Sequence, residues 1–347
     1  MRESRRPHTD EILLGDNLEL LPTFAEQSFQ LIYIDPPFNT GRAQLRRTLQ
    51  TEAVVDGSGA DRAVAGRAAA GGAREVGALP GEGDRTGYQG RRYRTRLLAE
   101  SSYRDSFEDY LAFLEPRLRE ARRLLAAEGT IYVHLDYREA HYCKLLLDEI
   151  FGRRCFLNEI VWAYDYGARA KRRWPAKHDT ILVYVRDPER YHFDAEEVDR
   201  EPYMAPGLVT AEKAARGKLP TDVWWHTIVP TSGREKTGYP TQKPLGVVRR
   251  VVAASTRAGD WCLDFFAGSG TLGAAASELG RRYVLIDSNP EAVRVMRARL
   301  GVGEATASAT TASATTGEAP AAATGSSPAA NAGTGLPALD EAASPAT

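Results

Sequence analysis

The stretch WCLDFFAGSGT, Trp261 to Thr271, decides the reading of the fold. Its first four residues are a short apolar run ending in an acid, the signature of a buried strand. A turn of small residues follows, and TLGAAASELG then reads as a helix. Gly268, Gly270 and Gly273 satisfy the G-x-G-x-x-G spacing, which lets backbone turn sharply and come close to a ligand. RRYVLIDSN is the next strand, ending at Asp287, and PEAVRVMRARLG the next helix. An acid at that strand end suits the two hydroxyls of a ribose. Taken alone, the glycine spacing serves NAD, another nucleoside cofactor, or packing. Asp264 narrows the choice. A carboxylate just before the loop would repel a pyrophosphate but would pair with a cationic amino group. S-adenosylmethionine (SAM) has an α-amino group, a sulfonium and a ribose, and no phosphate.

The alternation continues toward the N-terminus. FQLIYID (29–35), TIYVHLD (130–136), TILVYVRD (180–187) and DVWWHTIVP (222–230) read as strands. The stretch from Ser106 to Gly129, AHYCKLLLDEIFG (140–152) and PLGVVRRVVAAST (244–256) read as helices. Pro116 predicts a break within the first of these, giving two helices, and Gly129 predicts its end. Alternating strands and helices imply a mostly parallel sheet covered on both faces, with ligands at the carboxyl ends of the strands.

A second chemical cluster sits at another strand end: Asp35-Pro36-Pro37-Phe38, followed by Asn39. The prolines fix the backbone and remove donors, so the carbonyls act only as acceptors. Asp35 and the Pro36 carbonyl can accept hydrogen bonds from an exocyclic amino group, and Phe38 can stack on a planar base. The plain alternative is an acidic turn closing a strand.

Composition bounds the rest. Hydrophobic residues make up 43% of the 347 and charged residues 26%, as in a soluble globular protein. No run approaches the roughly 18 apolar residues of a membrane helix. MRESRRPHTDEILL lacks the apolar stretch of a secretory signal, so the expectation is a cytoplasmic protein without a membrane. Cys143, Cys155 and Cys262 fit neither a disulfide framework nor a zinc cluster and are expected to be packed thiols; no spacing suggests a metal. Net charge is −1, but four acids lie in 301–347, which has no Lys, Arg or aromatic residue. Without them 45 basic residues face 42 acidic ones, a net of +3. The composition of 302–347 predicts a disordered tail. Residues 42–98, rich in Gly and Arg and without apolar periodicity, predict a flexible basic insertion, either a flap over a polyanion or a solvated loop.

Together, IDPPFNTG and DFFAGSGT resemble the amino-group DNA methyltransferases, which make N6-methyladenine or N4-methylcytosine from SAM. Their order, with the DPPF motif before the glycine loop, resembles the permuted β group, which includes type III modification subunits and solitary bacterial enzymes. The resemblance covers roughly 10–42 and 100–300. It implies an α/β fold, the Rossmann-like SAM-dependent methyltransferase fold, circularly permuted, with an inserted target-recognition region. The halves would be 10–160 (catalytic) and 237–301 (SAM-binding), with 161–236 between them. The resemblance assigns catalysis to Asp35, Pro36, Pro37 and Phe38. It assigns the cofactor to Asp16 of Gly15-Asp16-Asn17, to Thr241, Gln242 and Lys243, to Asp264, Phe265, Phe266, Gly268, Gly270 and Thr271, and to Asp287. Double-stranded DNA is the implied partner. Asn39 and the acid-free run Arg169, Lys171, Arg172, Arg173 and Lys177, which flanks Trp174, are its expected contacts; a solvated charged loop is the alternative. A homodimer and a cognate restriction endonuclease are the further partners to consider. Trp224 and Trp225 are expected in the core, and His134 in the core or a pocket wall.

The chemistry agrees. An amino nitrogen conjugated to a ring is a poor nucleophile, and two positioned acceptors would favour its tetrahedral form with the lone pair free. No covalent intermediate is needed, and the Pro-Cys of cytosine C5 enzymes is absent. The base must leave the stack to reach such a site. An initial Asp favours adenine over cytosine by resemblance. RNA or protein amide methylation usually carries Asn-Pro-Pro-Tyr. An NAD-dependent oxidoreductase and an inert DNA-binding module are the readings from other classes.

Overall fold

All six runs read as strands enter one eight-stranded sheet in the computed structural model, which describes residues 4–39, 44–53, 83–86, 92–103, 107, 109–167, 169–230 and 233–302. In chain order they are β2 (Phe29–Ile34), β6 (Leu125–Leu135), β8 (His178–Val185), β9 (Val223–Trp225), β10 (Trp261–Asp264) and β11 (Arg282–Asp287). Two strands that the pattern did not reveal complete it: β1 (Glu11–Leu14) and β7 (Phe156–Ala163). The order is β1-β11-β10-β2-β6-β8-β7-β9. From β1 to β6 every pairing is parallel; β8 runs antiparallel to both β6 and β7.

Parallel strands are buried on both faces, so their side chains divide between two cores. Ile32 and Ile34 of β2 join the core under α2 (Tyr110–Leu124) and α3 (Ala140–Phe151). Leu31 and Tyr33 join the opposite core, under α5 (Leu245–Ser255), α6 (Thr271–Glu278) and α7 (Pro290–Leu300). Caps set the helix ends. Asp109 accepts from the Ala112 amide to open α2, and Asn289 from Glu291 to open α7, with Pro290 in its first turn. Gly301, at φ +66°, closes α7.

The important feature for a ligand is the neighbour relation of β10 and β2. From β10 the chain proceeds outward to β11, and from β2 outward to β6. That reversal is a topological switch point, where open α/β sheets leave a crevice at the strand ends. Asp264 and Asp35 both stand there.

Three expectations need correction. Pro116 does not divide α2, which runs through it; Tyr110, Leu114, Leu118 and Ala121 bury one stripe on both sides of the proline and hold the helix against its lost hydrogen bond. The helix ends at Leu124 rather than Gly129, because Leu125 already pairs with Phe29 of β2. Within 42–98, the described parts are not irregular. β3 (Gln44–Ala53) and β4 (Gly83–Thr86) each pair antiparallel with β5 (Arg92–Tyr103), forming a separate three-stranded sheet. Antiparallel backbone pairing needs none of the apolar periodicity used to find buried strands. The other residues of that stretch, and the tail from 303, lie outside the described residues. β7, β8 and β9 tie much of 161–236 into the main sheet. Among the described residues, no helix is long and apolar enough to cross a membrane.

Candidate active site

Asp35 follows the last residue of β2, and its chain continues through Pro36 and Pro37 to Phe38. One carboxylate oxygen, Oδ2, meets the Lys243 ammonium. The other, Oδ1, is buried and has no hydrogen-bond partner. Such an acceptor is costly unless something arrives to donate to it. Phe38 lies 5.9 Å from the His134 ring and 4.8 Å from the Lys243 nitrogen, centroid distances in both cases.

Behind Phe38 runs a buried polar chain that pattern reading did not find. The Tyr33 hydroxyl meets His134 Nδ1 at 2.8 Å, His134 Nε2 meets Asp179 at 3.1 Å, and Tyr164 donates to Asp179 at 3.0 Å. Burial works against the Asp179 carboxylate, but His134, Lys243 and Tyr164 outweigh it and hold its pKa below the usual value. A charged Asp179 only accepts, so His134 donates from Nε2 and accepts a hydrogen bond from the Tyr33 hydroxyl at Nδ1. Burial first, then Asp35, Asp264 and Asp179, push the Tyr33 phenol well up, so it stays a neutral donor. His134 is thus a core histidine, fully buried, that fixes the floor under Phe38.

Phe38 opens on a cavity of about 460 Å³, large enough for a nucleotide. Trp162, Tyr164, Asp179 and Thr241–Lys243 form its inner wall; Arg169 and Arg173 of the basic run line its rim. Lys171 and Arg172 are exposed beside them, while Lys177 is half-buried and pairs with Asp165 at 3.6 Å. Trp174, between them, is 94% exposed. Asn39 does not point outward as expected. Its amide donates to Glu139 and its oxygen accepts from the Phe107 amide, both at 3.0 Å, so its polar groups are used inside the protein. Trp224 is in the core, but Trp225 is not: it sits on the edge strand β9, 75% exposed.

The glycine loop lies at the end of β10. Gly268, at φ +50°, donates its amide to Asp287 Oδ2 at 2.8 Å, and a Cβ there would sit 3.2 Å from the Tyr239 ring. Burial, reinforced by Asp35 and Asp287, pushes the Asp264 carboxyl well above the usual range, against the Phe266 amide and Lys243. Burial also raises Asp287, against the amides of Asn289 and Gly268. Asp16 caps α1 (Asn17–Leu20) through the Leu18 amide and stays half-exposed, one residue beyond the Gly15 amide that donates to the Asp287 carbonyl. Carboxylates therefore gather here with few cations to balance them, which fits a cationic, ribose-bearing ligand and not a pyrophosphate.

The other residues expected at the cofactor have these surroundings within the protein. Phe265 is 1% exposed in the core, because β10 continues its inward alternation past Asp264. Phe266 packs on Phe113, with ring centroids 6.0 Å apart. Gln242 is buried, bonded to Thr237 and to the Glu235 carbonyl, and so folds its own loop. Thr271 ties the start of α6 to the Lys243 carbonyl at 3.3 Å and receives Arg299 at 2.9 Å. Lys243 faces Asp35. Tyr239 over Gly268 was missed, although Tyr239-Pro240 directly precedes Thr241-Gln242-Lys243-Pro244. The three thiols are buried as expected, and burial pushes Cys143 up to about 12.

Known proteins bear on this arrangement directly. A family of DNA methylases, N6_N4_Mtase, matches residues 29–298. The chain belongs to that family. The DNA adenine methyltransferase YhdJ of Escherichia coli (strain K12) is 31% identical over 84% of the chain and 82% of its own length. The type II methyltransferase M.HpaI of Haemophilus parainfluenzae is 31% identical over 56% of the chain, which spans 60% of that relative. The solved PvuII DNA methyltransferase (cytosine-N4-specific) shares the fold: TM-score 0.54, 15% identity, 86% of this chain and 89% of that one. Membership makes the protein a SAM-dependent DNA amino methyltransferase of Rossmann-like fold. Its DPPF-before-glycine-loop order is the permuted one.

Proposed function

We propose that the protein methylates the N6 amino group of adenine in double-stranded DNA, with the target base flipped into the cavity beside Phe38. The observation that carries this reading is Asp35: a buried carboxylate oxygen without a donor, at the switch point, next to an aromatic ring and a nucleotide-sized cavity. When bound, SAM would supply an electrophilic methyl group whose carbon–sulfur electron pair stays with the sulfur. Asp264, Asp287 and Asp16 would hold its amino group, ribose and adenine, with Gly268 and Gly270 allowing close backbone approach. Asp35 Oδ1 and the Pro36 carbonyl accept the two amino protons of the base, which frees the nitrogen lone pair to form the new bond. Asp35 takes the proton released. Charge building on that nitrogen meets acceptors already in place, so little reorganisation is required. Arg169 and Arg173 at the rim, with Lys171 and Arg172, would meet phosphates.

The relative named as an adenine methyltransferase supports adenine, as does the initial Asp of the motif. Cytosine N4 is the second reading, favoured by the fold shared with an N4-specific enzyme. Expression in a methylation-free host, followed by nucleoside mass spectrometry, decides between them. N6-methyladenine is expected; N4-methylcytosine without it overturns the base assignment. A cytoplasmic location is part of this reading, since its substrate is DNA. A homodimer and a cognate endonuclease are read from sedimentation of the purified protein and from cleavage of unmethylated DNA by a neighbouring gene product.

A further inference from the structure

The α-amino group and the sulfonium of SAM are cationic and would repel the Lys243 ammonium; only the SAM carboxylate would attract it. Instead the Lys243 nitrogen meets Asp35 Oδ2 and lies 4.8 Å from the centre of the Phe38 ring. It is also the cation felt by both Asp264 and Asp179. The residue is 9% exposed, and its backbone is pinned: its carbonyl accepts from Thr271, and Gln242 before it is bonded on both amide atoms. A nearly buried ammonium held this firmly fixes whatever it touches. With Oδ2 engaged, the Asp35 carboxylate has one oxygen left, and that is the unpartnered one.

We propose that Lys243 is a positioning residue for methyl transfer: it locks Asp35 so that Oδ1 alone faces the amino group, and holds the Phe38 ring on which the base stacks. The inference rests on the methyltransferase reading and deepens it. Without the ammonium, Asp35 can rotate and its two oxygens become equivalent, so the acceptor geometry that favours a tetrahedral nitrogen is lost. Cofactor binding has no reason to weaken.

The test uses the full chain with Lys243→Met, Lys243→Arg, Asp35→Asn and the Asp35→Asn/Lys243→Met double variant. Lys243→Met should lower kcat by about 100-fold while KM for DNA changes less than threefold. SAM affinity by calorimetry should stay within twofold of wild type. Lys243→Arg, which keeps a cation in reach of Asp35, should recover at least tenfold over Lys243→Met. In single-turnover assays on an Asp35→Asn background, adding Lys243→Met should cost less than twofold, because a residue acting through Asp35 has nothing left to position. A tenfold loss of SAM affinity in Lys243→Met would make Lys243 a cofactor ligand and overturn the proposal. So would an unchanged kcat, or losses that multiply in the double variant. If Lys243→Met does not fold, Lys243→Gln carries the same comparison. Failure of the underlying reading looks different: the wild-type protein then binds SAM and methylates no DNA.

Discussion

At the scale of single residues, the half-buried Asp35 and the buried Asp264 are two acids at adjacent strand ends with separate tasks. Asp35 keeps one carboxylate oxygen without a hydrogen-bond partner, beside Lys243, which lines the cavity; Asp264 accepts from the Phe266 amide at 2.9 Å and lies beside the loop. Asp35→Ala should therefore leave SAM affinity within about threefold while kcat falls by two or more orders of magnitude. Calorimetry and a tritium-transfer assay check the two halves of that statement, and near-wild-type turnover would remove Asp35 from the chemistry. These two residues stood out in the sequence because each sits in a short motif whose chemistry is local: a carboxylate, rigid carbonyls and a ring, or a carboxylate before glycines. What stayed hidden was pairing at a distance. Lys243 and Asp35 are 208 positions apart, and His134 and Asp179 are 45 apart. Only the sheet order brings them together, and no spacing rule reports it. Asn39 is held in the same way, by Glu139 and the Phe107 amide from outside its own motif.

Among the elements, the glycine loop and α6 show where a residue type is required. Gly270 sits at φ +71°, and a Cβ there would lie 2.8 Å from Met296 Cγ of α7. Gly280, at φ +70° in the turn after α6, has nothing within 4 Å of the same position. The two glycines share the backbone cost of a left-handed alanine and differ only in space. Gly280→Ala should cost about 1 kcal/mol. Gly270→Ala should cost roughly 2–4 kcal/mol, by adding overpacking to that strain. Urea unfolding of both variants measures the difference; equal losses would mean that α7 yields to the methyl group. Gly273 supports the same contact, since its Cβ would meet Leu285 at 2.7 Å, so helix, loop and strand pack closely along all three positions of the motif. Elements with buried stripes were readable from the sequence, β2 and α7 above all. β1 and β7 were not: β1 is only four residues long, and Asn158-Glu159 interrupts the apolar run of β7, while the sequences of β3 to β5 carry no apolar alternation. Pro116 shows the opposite error: a local preference overridden by the packing on either side of it.

Over the whole molecule, the balance of acids at the switch point links stability, pH and cofactor. Asp179, Asp148 and Asp199 have lowered pKa values, so each contributes stability that is present above its unfolded value and lost as pH falls through the folded one. Asp264 and Asp287 have raised values and act with the opposite sign. From about pH 4 upward the unfolded chain has released these two protons while the folded protein still holds them. Their contribution is therefore complete below about pH 4 and declines as pH rises through the raised values. The Asp264 share of that slope is at most about 1.4 kcal/mol per pH unit. A cationic ligand reverses the effect, because its amino group favours the ionised carboxylate and the proton leaves on binding. Two outcomes are expected. Without SAM, Asp264→Asn should flatten the fall of Tm with pH above about pH 5 relative to wild type. With SAM, calorimetry in buffers of different ionisation enthalpy should show proton release in the wild type that the variant lacks. Equal proton release in both proteins would place the SAM amino group at another acid, while the methyl-transfer role of Asp35 would stand unchanged.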